Sequence, residues 1–180
     1  MLNIESHVNG LFSSVSYRVG QILFDPGDEW AGFHGVKTVM LTHAHFDHIY
    51  GLNKVIELNP DVEVLTNEAG RQMLLDARKN LSYYHEDSFV ISKPECIRVM
   101  DDNQEMESGG NMTVRAIFTP GHNPSCITWI VGDCLFTGDS YIPGIKTVTN
   151  LPGGNKRHAE ESLAVIKNLA DSKKIYPGHR

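Results

Sequence analysis

The chain has few cysteines, and their arrangement excludes two classes of protein. Three occur in 180 residues, Cys96, Cys126 and Cys134, an odd number without CxxC spacing. A disulfide framework or a zinc–thiolate site needs paired cysteines at characteristic spacings. We therefore expect neither. Because Cys126 and Cys134 lie in apolar, strand-like runs, we expect both to behave as small buried hydrophobic residues.

Long apolar runs and excess positive charge are also missing. No run of 18 apolar residues is present, so we expect no transmembrane helix and no membrane partner. Residues 1–5 have neither the basic nor the apolar region of a secretory leader, which predicts a cytoplasmic protein. The formal net charge of −6 offers no broad basic surface for nucleic acid. With 41% hydrophobic residues and no linker or repeat, residues 1–180 are predicted to form one domain of undetermined oligomeric state.

Hydrophobic patterning predicts strands and helices that alternate along the chain. The predicted strands cover 11–17 and 19–25, a hairpin turning near Gly20, and then 36–42, 62–66, 97–100, 112–118, 127–131, 134–137 and 174–176. The predicted helices cover 49–59, 68–79 and 157–169. Alternation in two similar halves predicts an α/β fold in which two sheets pack together with helices outside.

The most informative stretch is a cluster of potential metal ligands, His43-Ala44-His45-Phe46-Asp47-His48. It offers three imidazoles and one carboxylate within six residues, directly after the predicted strand 36–42. An α/β fold usually places its site at the carboxyl ends of its strands. The stretch therefore predicts a metal site at that edge of the sheet.

Three later candidates follow predicted strands in the same way. His122 follows Thr119-Pro120-Gly121, Asp139 follows Thr137-Gly138, and His179 follows Tyr176-Pro177-Gly178. The preceding glycine lets the backbone turn sharply beside a site. Seven ligand side chains are too many for one tetrahedral ion, and they suit two ions that share a carboxylate. Imidazole and carboxylate favour Zn, with Fe, Mn or Ni as alternatives, and a pair of such ions is typical of hydrolysis.

The motifs HAHFDH, PGH, TGDS and YPGH, in this order, resemble the metallo-β-lactamase superfamily, and its hydroxyacylglutathione hydrolase (glyoxalase II) branch in particular. The resemblance runs from Asp25-Pro26-Gly27 to His179. It implies a four-layer αββα sandwich with two divalent metal ions. The motifs assign His43, His45 and His122 to the first ion, Asp47, His48 and His179 to the second, and Asp139 to a bridging position.

The resemblance also implies roles beyond metal binding. Asp47 is expected to orient the attacking hydroxide and accept its proton, and Asp25 to contact a metal ligand from behind. Tyr141 and Lys146, in the loop after the bridging carboxylate, are expected to contact substrate. The match does not include the C-terminal domain with which glyoxalase II holds glutathione, so we do not expect glutathione specificity. Because Asp139 stands in the GD motif, where the most familiar β-lactamases offer a cysteine ligand, we do not expect an antibiotic-degrading role.

Three functions remain open at this point. The first is a hydrolase that uses a metal-bound hydroxide to cleave a small-molecule thioester, ester or lactone. The second is a persulfide dioxygenase with one Fe(II) held by His43, His122 and Asp139, since a facial triad suits dioxygen chemistry. The third is a metal-binding protein without turnover. Outside the motifs, His34 and His85 are candidates for the substrate entrance, and residues 83–85 for a loop near the site.

Overall fold

A computed structural model describes residues 2–108 and 112–180, and in that part of the chain eleven strands form two mixed β-sheets. The strands of the first sheet, in spatial order, are β1 (Ile4–Val8), β2 (Val15–Val19), β3 (Ile22–Phe24), β4 (Thr38–Met40), β5 (Glu63–Thr66) and β6 (Ile97–Val99). The second sheet has the order β11 (Lys174–Pro177), β10 (Cys134–Gly138), β9 (Ile127–Val131), β8 (Met112–Phe118) and β7 (Glu105–Ser108).

Strand direction brings several carboxyl ends to one edge. In the first sheet β3, β4, β5 and β6 run parallel to one another, whereas β1 and β2 form antiparallel pairs. In the second sheet β10 and β11 are parallel and the other pairs are antiparallel. The carboxyl ends of parallel strands lie at the same edge of a sheet, which is where an α/β fold gathers the residues of a site.

The alternation of side chains along the strands divides the interior into two cores. In β3, Ile22 and Phe24 face the second sheet and pack near Trp129 and Phe136, while Leu23 faces the other way. Successive strand residues point to opposite faces, so one continuous apolar strand serves both cores. The inter-sheet core and the helix-facing core confirm the predicted sheet-on-sheet packing with helices outside.

Three α-helices flank the sheets in the described part of the chain: α1 (Leu52–Leu58), α2 (Glu68–Leu74) and α3 (Lys156–Ala170). Asn67 and Asn155 cap α2 and α3, because their side chains accept hydrogen bonds from the backbone three residues on. Short 3₁₀ helices occur at Ala31–Phe33, Phe46–His48, Ser82–Tyr84 and Pro94–Cys96. None of the helices in the described ranges is long and apolar enough to cross a membrane.

The predicted elements differ from the observed ones at their ends and at the sheet edges. Strands β1 and β7 are not in the prediction, because these edge strands carry few apolar residues and are held by backbone pairing. The helix predicted over 49–59 begins only at Leu52, after the 3₁₀ turn. The helix predicted over 68–79 stops at Leu74, where the Asp76 carboxylate accepts the N–H groups of Arg78 and Lys79 and stabilises a turn.

Candidate metal centre

Four strand ends deliver the predicted ligands to one edge of the sandwich. His43 lies shortly after β4, His122 after β8, Asp139 directly after β10 and His179 after β11. Hydrogen bonds to backbone oxygens hold these segments together across the two sheets. Ile127 N–H donates to Thr42 O at 2.7 Å, and the indole of Trp129 donates to Leu41 O at 2.9 Å. The candidate site is therefore built on the ends of rigid elements.

The first group of potential ligands consists of three buried imidazoles, those of His43, His45 and His122, with one donor nitrogen from each within 4.8 Å of the others. His45 Nδ1 lies 2.9 Å from His122 Nε2, and the ring of His43 is centred 5.0 Å from each of these rings. This group matches the first metal set that the motifs imply.

The second group, Asp47, His48 and His179, is equally compact. His48 Nε2 lies 3.3 Å from His179 Nε2. Asp47 Oδ2 lies 3.5 Å from the His48 nitrogen and 3.4 Å from the His179 nitrogen. Three potential ligand atoms within 4.8 Å of one another can hold one small cation. This group matches the second implied set.

Asp139 lies between the two groups. Its Oδ2 is 3.5 Å from His122 Nε2, in the first group, and 3.3 Å from His179 Nε2, in the second. Its Oδ1 is 3.7 Å from His48 Nε2. A carboxylate with one oxygen near ligands of both groups is placed as a shared ligand would be.

Hydrogen bonds on the outer nitrogens fix the orientation of three imidazoles. Nδ1 of His122 donates to Val148 O at 2.9 Å, and Nδ1 of His179 donates to Phe12 O at 3.0 Å. Nδ1 of His48 donates to Asp25 Oδ2 at 3.2 Å. In the neutral ring, donation from Nδ1 leaves the lone pair on Nε2, which points into the cluster. The resemblance implied that Asp25 contacts a metal ligand in this way. Contacts to backbone atoms such as Val148 O could not be predicted, because every residue type has such an oxygen.

Asp25 is itself held firmly behind the cluster. Its Oδ1 accepts the N–H of Thr42 at 2.7 Å, and its Oδ2 accepts the hydroxyl of Thr42 at 2.5 Å in addition to His48. Its backbone is in the left-handed region, with a φ of 47°. Strain of this kind in a non-glycine residue persists where surrounding contacts determine the conformation, and it is common at functional sites.

The polar atoms of the cluster fit a bound cation. Among the described residues, His43 Nε2 and Asp139 Oδ1 are two of four buried side-chain N or O atoms with no hydrogen-bond partner. Buried polar groups are almost always paired, so each unpaired atom needs an explanation. Both atoms belong to the cluster, and a divalent ion would be the partner that each lacks.

Burial and neighbouring charges divide the imidazoles into two electrostatic classes. Burial, reinforced by the adjacent imidazoles, holds the pKa of His43 well below its usual value and lowers the pKa of His45 to about 3. Burial acts in the same direction on His48 and His179, but nearby carboxylates outweigh it. Those of Asp47, Asp25 and Asp139 raise the pKa of His48 to about 9, and those of Asp139 and Asp47 raise the pKa of His179 to about 10. A cation binding beside His48 and His179 would therefore compete with protons.

Two glycines allow the ligand segments to approach each other. Gly138 has a φ of 50°, and a Cβ there would lie 2.5 Å from the Cβ of Thr42. At Gly178 a Cβ would overlap the Asp139 carboxylate and lie 3.0 Å from His48 Cε1. Space therefore requires glycine at both positions, and at Gly138 the left-handed backbone favours it as well.

Gly178→Ala is expected to weaken metal binding at least tenfold, because the added methyl group displaces Asp139. Overpacking a tight site of this kind also costs about 1–3 kcal/mol of folding stability. The measurement is competition for zinc against a chromophoric chelator, together with thermal unfolding. Gly10→Ala is the control, since its Cβ would meet only ordinary contact at 3.5 Å. Unchanged zinc affinity in Gly178→Ala would contradict the proposed role of this close approach.

A pocket of about 580 Å³ opens beside the donor cluster. Besides five of the ligands, its walls are mainly apolar: Phe12, Phe46, Leu81, Tyr84, His85, Val148, Leu151 and Pro152. Tyr84 and His85, from the segment 83–85 that was a candidate for a loop near the site, thus contribute to the site mouth. The other wall residues were missed, because they come from connections without a recognisable motif.

The predicted substrate contacts lie in neighbouring spaces. Tyr141 lines a groove between residues 144–149 and α3. Lys146 lines that groove and also a small cleft that reaches His122 and Asp139. Their role in substrate binding stays a prediction.

The remaining histidines and the cysteines lie outside the donor groups. In the described ranges, no group of three or more potential ligand atoms within 4.8 Å of one another includes His7, His34, His158 or any cysteine. Cys126 and Cys134 are buried, as predicted, and burial raises the pKa of Cys126 to about 12. The thiols therefore behave as packed apolar side chains.

A sandwich of two mixed sheets with His and Asp donors gathered at one edge defines a class of metalloprotein. The profile of the Metallo-beta-lactamase superfamily matches residues 34–179. The chain belongs to this superfamily, whose members are mostly metal-dependent hydrolases, and it has the metallo-β-lactamase fold.

Individual proteins show how far the similarity extends. The chain is 32% identical over 169 residues to the "Probable metallo-hydrolase YqgX" of Bacillus subtilis, covering 88% of this chain and 79% of that protein. It is 26% identical over 144 residues to "Glyoxylase B2" of Dictyostelium discoideum, covering 78% of this chain but 48% of that protein. The crystal structure of the BLEG-1 B3 metallo-β-lactamase superposes with a TM-score of 0.86 at 22% identity, covering 99% and 92% of the two chains. At that identity the last comparison shows the fold alone.

Proposed function

We propose that this protein is a dinuclear metal-dependent hydrolase that cleaves a small-molecule thioester, ester or lactone. The observation that carries the proposal is the position of Asp139 between two compact donor groups of three residues each, which makes seven potential ligands in all. The similarity to a probable metallo-hydrolase over 88% of the chain supports the same reaction class. The persulfide dioxygenase would use His43, His122 and Asp139 alone and would leave the second donor group without a role.

The metal ions would be held by His43, His45 and His122 in one group and by Asp47, His48 and His179 in the other, with Asp139 shared. When bound, two divalent ions such as zinc polarise a carbonyl oxygen and lower the pKa of water. In the overall reaction, the oxygen of water bonds to the carbonyl carbon and the bond to sulfur or oxygen breaks. One proton of that water is finally taken up by the leaving group.

Asp47 is the residue of this chain best placed to move that proton. It is buried but lines the pocket, and its backbone carbonyl accepts the hydroxyl of Ser14 at 2.6 Å, which fixes the segment. Burial acts to raise the pKa of Asp47, but the imidazoles of His48 and His179 outweigh it and lower the pKa. The side chain is therefore a carboxylate at neutral pH and can accept a proton.

Metal analysis combined with a substrate panel tests the proposal. The protein is purified without added metal, its metal content is measured by mass spectrometry, and turnover is assayed on thioesters, esters, lactones, phosphodiesters and a cephalosporin. We expect two divalent ions per chain and metal-dependent cleavage of one of the first three classes. One iron per chain with sulfite formed from a persulfide would establish the oxidoreductase instead. Full metal content without any turnover would favour the metal-binding protein.

Asp47→Asn is expected to lower kcat by about 10²–10⁴-fold, the usual contribution of a positioned general base. The amide keeps the shape of the side chain but cannot accept the proton, so the melting temperature should change little. Steady-state kinetics with saturating zinc and thermal unfolding measure the two effects, and mass spectrometry checks that the variant holds the same number of ions, because Asp47 is also a proposed ligand. Asp61→Asn is the control, because this exposed carboxylate lies at the opposite end of the strands. A wild-type kcat in Asp47→Asn would contradict its assignment as base.

A further inference from the structure

We propose that the pocket beside the donor cluster selects uncharged substrates with an apolar acyl group, and that the side chains of Phe12 and Tyr84 determine this specificity. The inference rests on the proposed hydrolase function and deepens it by naming the substrate class. Three observations carry it: the composition of the pocket wall, the conformation of the loops that present the two rings, and the distribution of charge around the pocket.

The pocket wall is apolar on the side away from the ligands. Phe12, Phe46, Tyr84 and Leu151 contribute rings and aliphatic surface to a space of about 580 Å³, which is within the range of small-molecule sites. The ring of Phe12 meets that of Phe46 edge-to-face, with centroids 5.6 Å apart. Rings in this arrangement form a fixed apolar wall against which an acyl group can pack.

Phe12 and Tyr84 are exposed although they are large and apolar. They are 61% and 66% exposed, so neither is buried in the cores of the fold. An exposed apolar patch at a concave site commonly marks a binding surface. Because both side chains border the pocket, an acyl group bound there would cover surface that is otherwise in water.

Strained backbone presents both rings. Phe12 and Ser13 have φ values of 53° and 57°, and Leu81, which precedes the 3₁₀ helix Ser82–Tyr84, has a φ of 72°. Left-handed conformations are unfavourable for residues with a Cβ and are concentrated at functional sites. The Phe12 loop is tied to the donor cluster, because Phe12 O accepts Nδ1 of His179 at 3.0 Å. The position of the Phe12 ring is thereby coupled to that of a ligand.

The charge around the pocket disfavours anionic substrates. Among the residues that the structure describes, no lysine or arginine lines this pocket, and its only carboxylates are those of Asp47 and Asp139. Lys146 borders a different cleft, beyond His122 and Asp139. An acidic group at the far end of an acyl chain would be desolvated against rings without a compensating cation, which is unfavourable.

A matched pair of substrates tests the inference. The hexanoyl and glutaryl thioesters of N-acetylcysteamine have similar lengths, but only the second ends in a carboxylate. With the zinc-loaded protein we expect kcat/KM at least tenfold higher for the hexanoyl thioester than for the glutaryl and acetyl thioesters. In Phe12→Ala and in Tyr84→Ala we expect kcat/KM for the hexanoyl thioester to fall at least fivefold more than kcat/KM for the acetyl thioester.

Binding is measured separately from turnover, with the two amides in which nitrogen replaces the thioester sulfur. We expect calorimetry to show tighter binding of the hexanoyl amide and at least fivefold weaker binding of it in Phe12→Ala. Val165→Ala, which removes an exposed apolar side chain on α3, is the control and should change neither measurement. Equal or tighter binding of the glutaryl amide, or unaltered binding in both pocket variants, would overturn the inference. Absence of turnover with intact hexanoyl selectivity would instead count against the proposed function alone.

Discussion

Asp139→Asn should abolish most activity, with kcat/KM lower by about 10³-fold or more, equivalent to about 4 kcal/mol of transition-state stabilisation. The reason is its position, since its oxygens lie 3.3–3.7 Å from imidazole nitrogens of both donor groups. The amide retains the volume of the side chain but removes one of the two negative charges in the cluster and is a weaker ligand. We expect the metal content to fall from two ions to one at most.

The control for this prediction is Asp133→Asn, which changes an exposed carboxylate at the other end of β10. It should retain wild-type metal content and kinetics. Metal content is measured by mass spectrometry after gel filtration, and kinetics on the best substrate from the panel. If Asp139→Asn kept two ions and more than a tenth of the wild-type kcat/KM, the shared position of this carboxylate would not matter and the dinuclear proposal would be wrong.

Much of the donor cluster could be predicted from sequence because its ligands sit in short motifs next to strongly apolar strands. His43 begins a run of ligand types shortly after β4, and His122, Asp139 and His179 each follow a glycine at or just beyond a strand end, which is a local pattern. The structure brings all seven predicted ligands together, six in the two donor groups and Asp139 between them. The role of Asp25 came from the resemblance, since the residue before Pro26-Gly27 could equally have been a simple turn residue, and the structure places its carboxylate against His48.

The pocket wall could not be predicted in the same way. Phe12 and Tyr84 lie in connections whose course depends on left-handed residues, and phenylalanine or leucine at φ values of 53° and 72° contradicts local preference. Every residue has a backbone oxygen, so a contact to one of them, such as Val148 O, cannot be predicted from residue types. The edge strand β7 was missed for a related reason, since pairing with β8 rather than apolar content holds it.

The sequence and the structure together divide the site into two parts with different physical origins. Its inner part is a set of charged and polar donors on rigid strand ends, where geometry is fixed by hydrogen bonds between the sheets. Its outer part is an apolar wall on loops, where specificity can change without disturbing the ligands. Substitutions behind the inner part should therefore affect metal binding and stability together, whereas substitutions in the outer wall should affect substrate choice.

Asp25→Asn tests the inner part most directly. Oδ1 of Asp25 accepts the N–H of Thr42, and Oδ2 accepts both the hydroxyl of Thr42 and Nδ1 of His48. An amide has one oxygen, so one of these positions must receive an N–H group that faces another donor. A buried donor left unpaired costs about 1–3 kcal/mol, and a lost hydrogen bond to a charged group about 1.5–3 kcal/mol, so we expect a loss of about 3 kcal/mol in unfolding free energy.

The same substitution should weaken zinc binding by about 10–100-fold, which is the usual effect of removing the hydrogen-bond partner of a ligating imidazole. The reason is that His48 would no longer be held with its Nε2 lone pair towards the cluster. Urea denaturation and zinc competition measure the two effects. Ser16→Ala separates them, since it removes the hydroxyl that donates to the backbone oxygen of Asp25 at 2.6 Å but leaves the His48 contact intact. It should lower stability with less than a threefold change in zinc affinity. Equal weakening of zinc binding in both variants would show that Asp25 acts through packing of the segment rather than through His48.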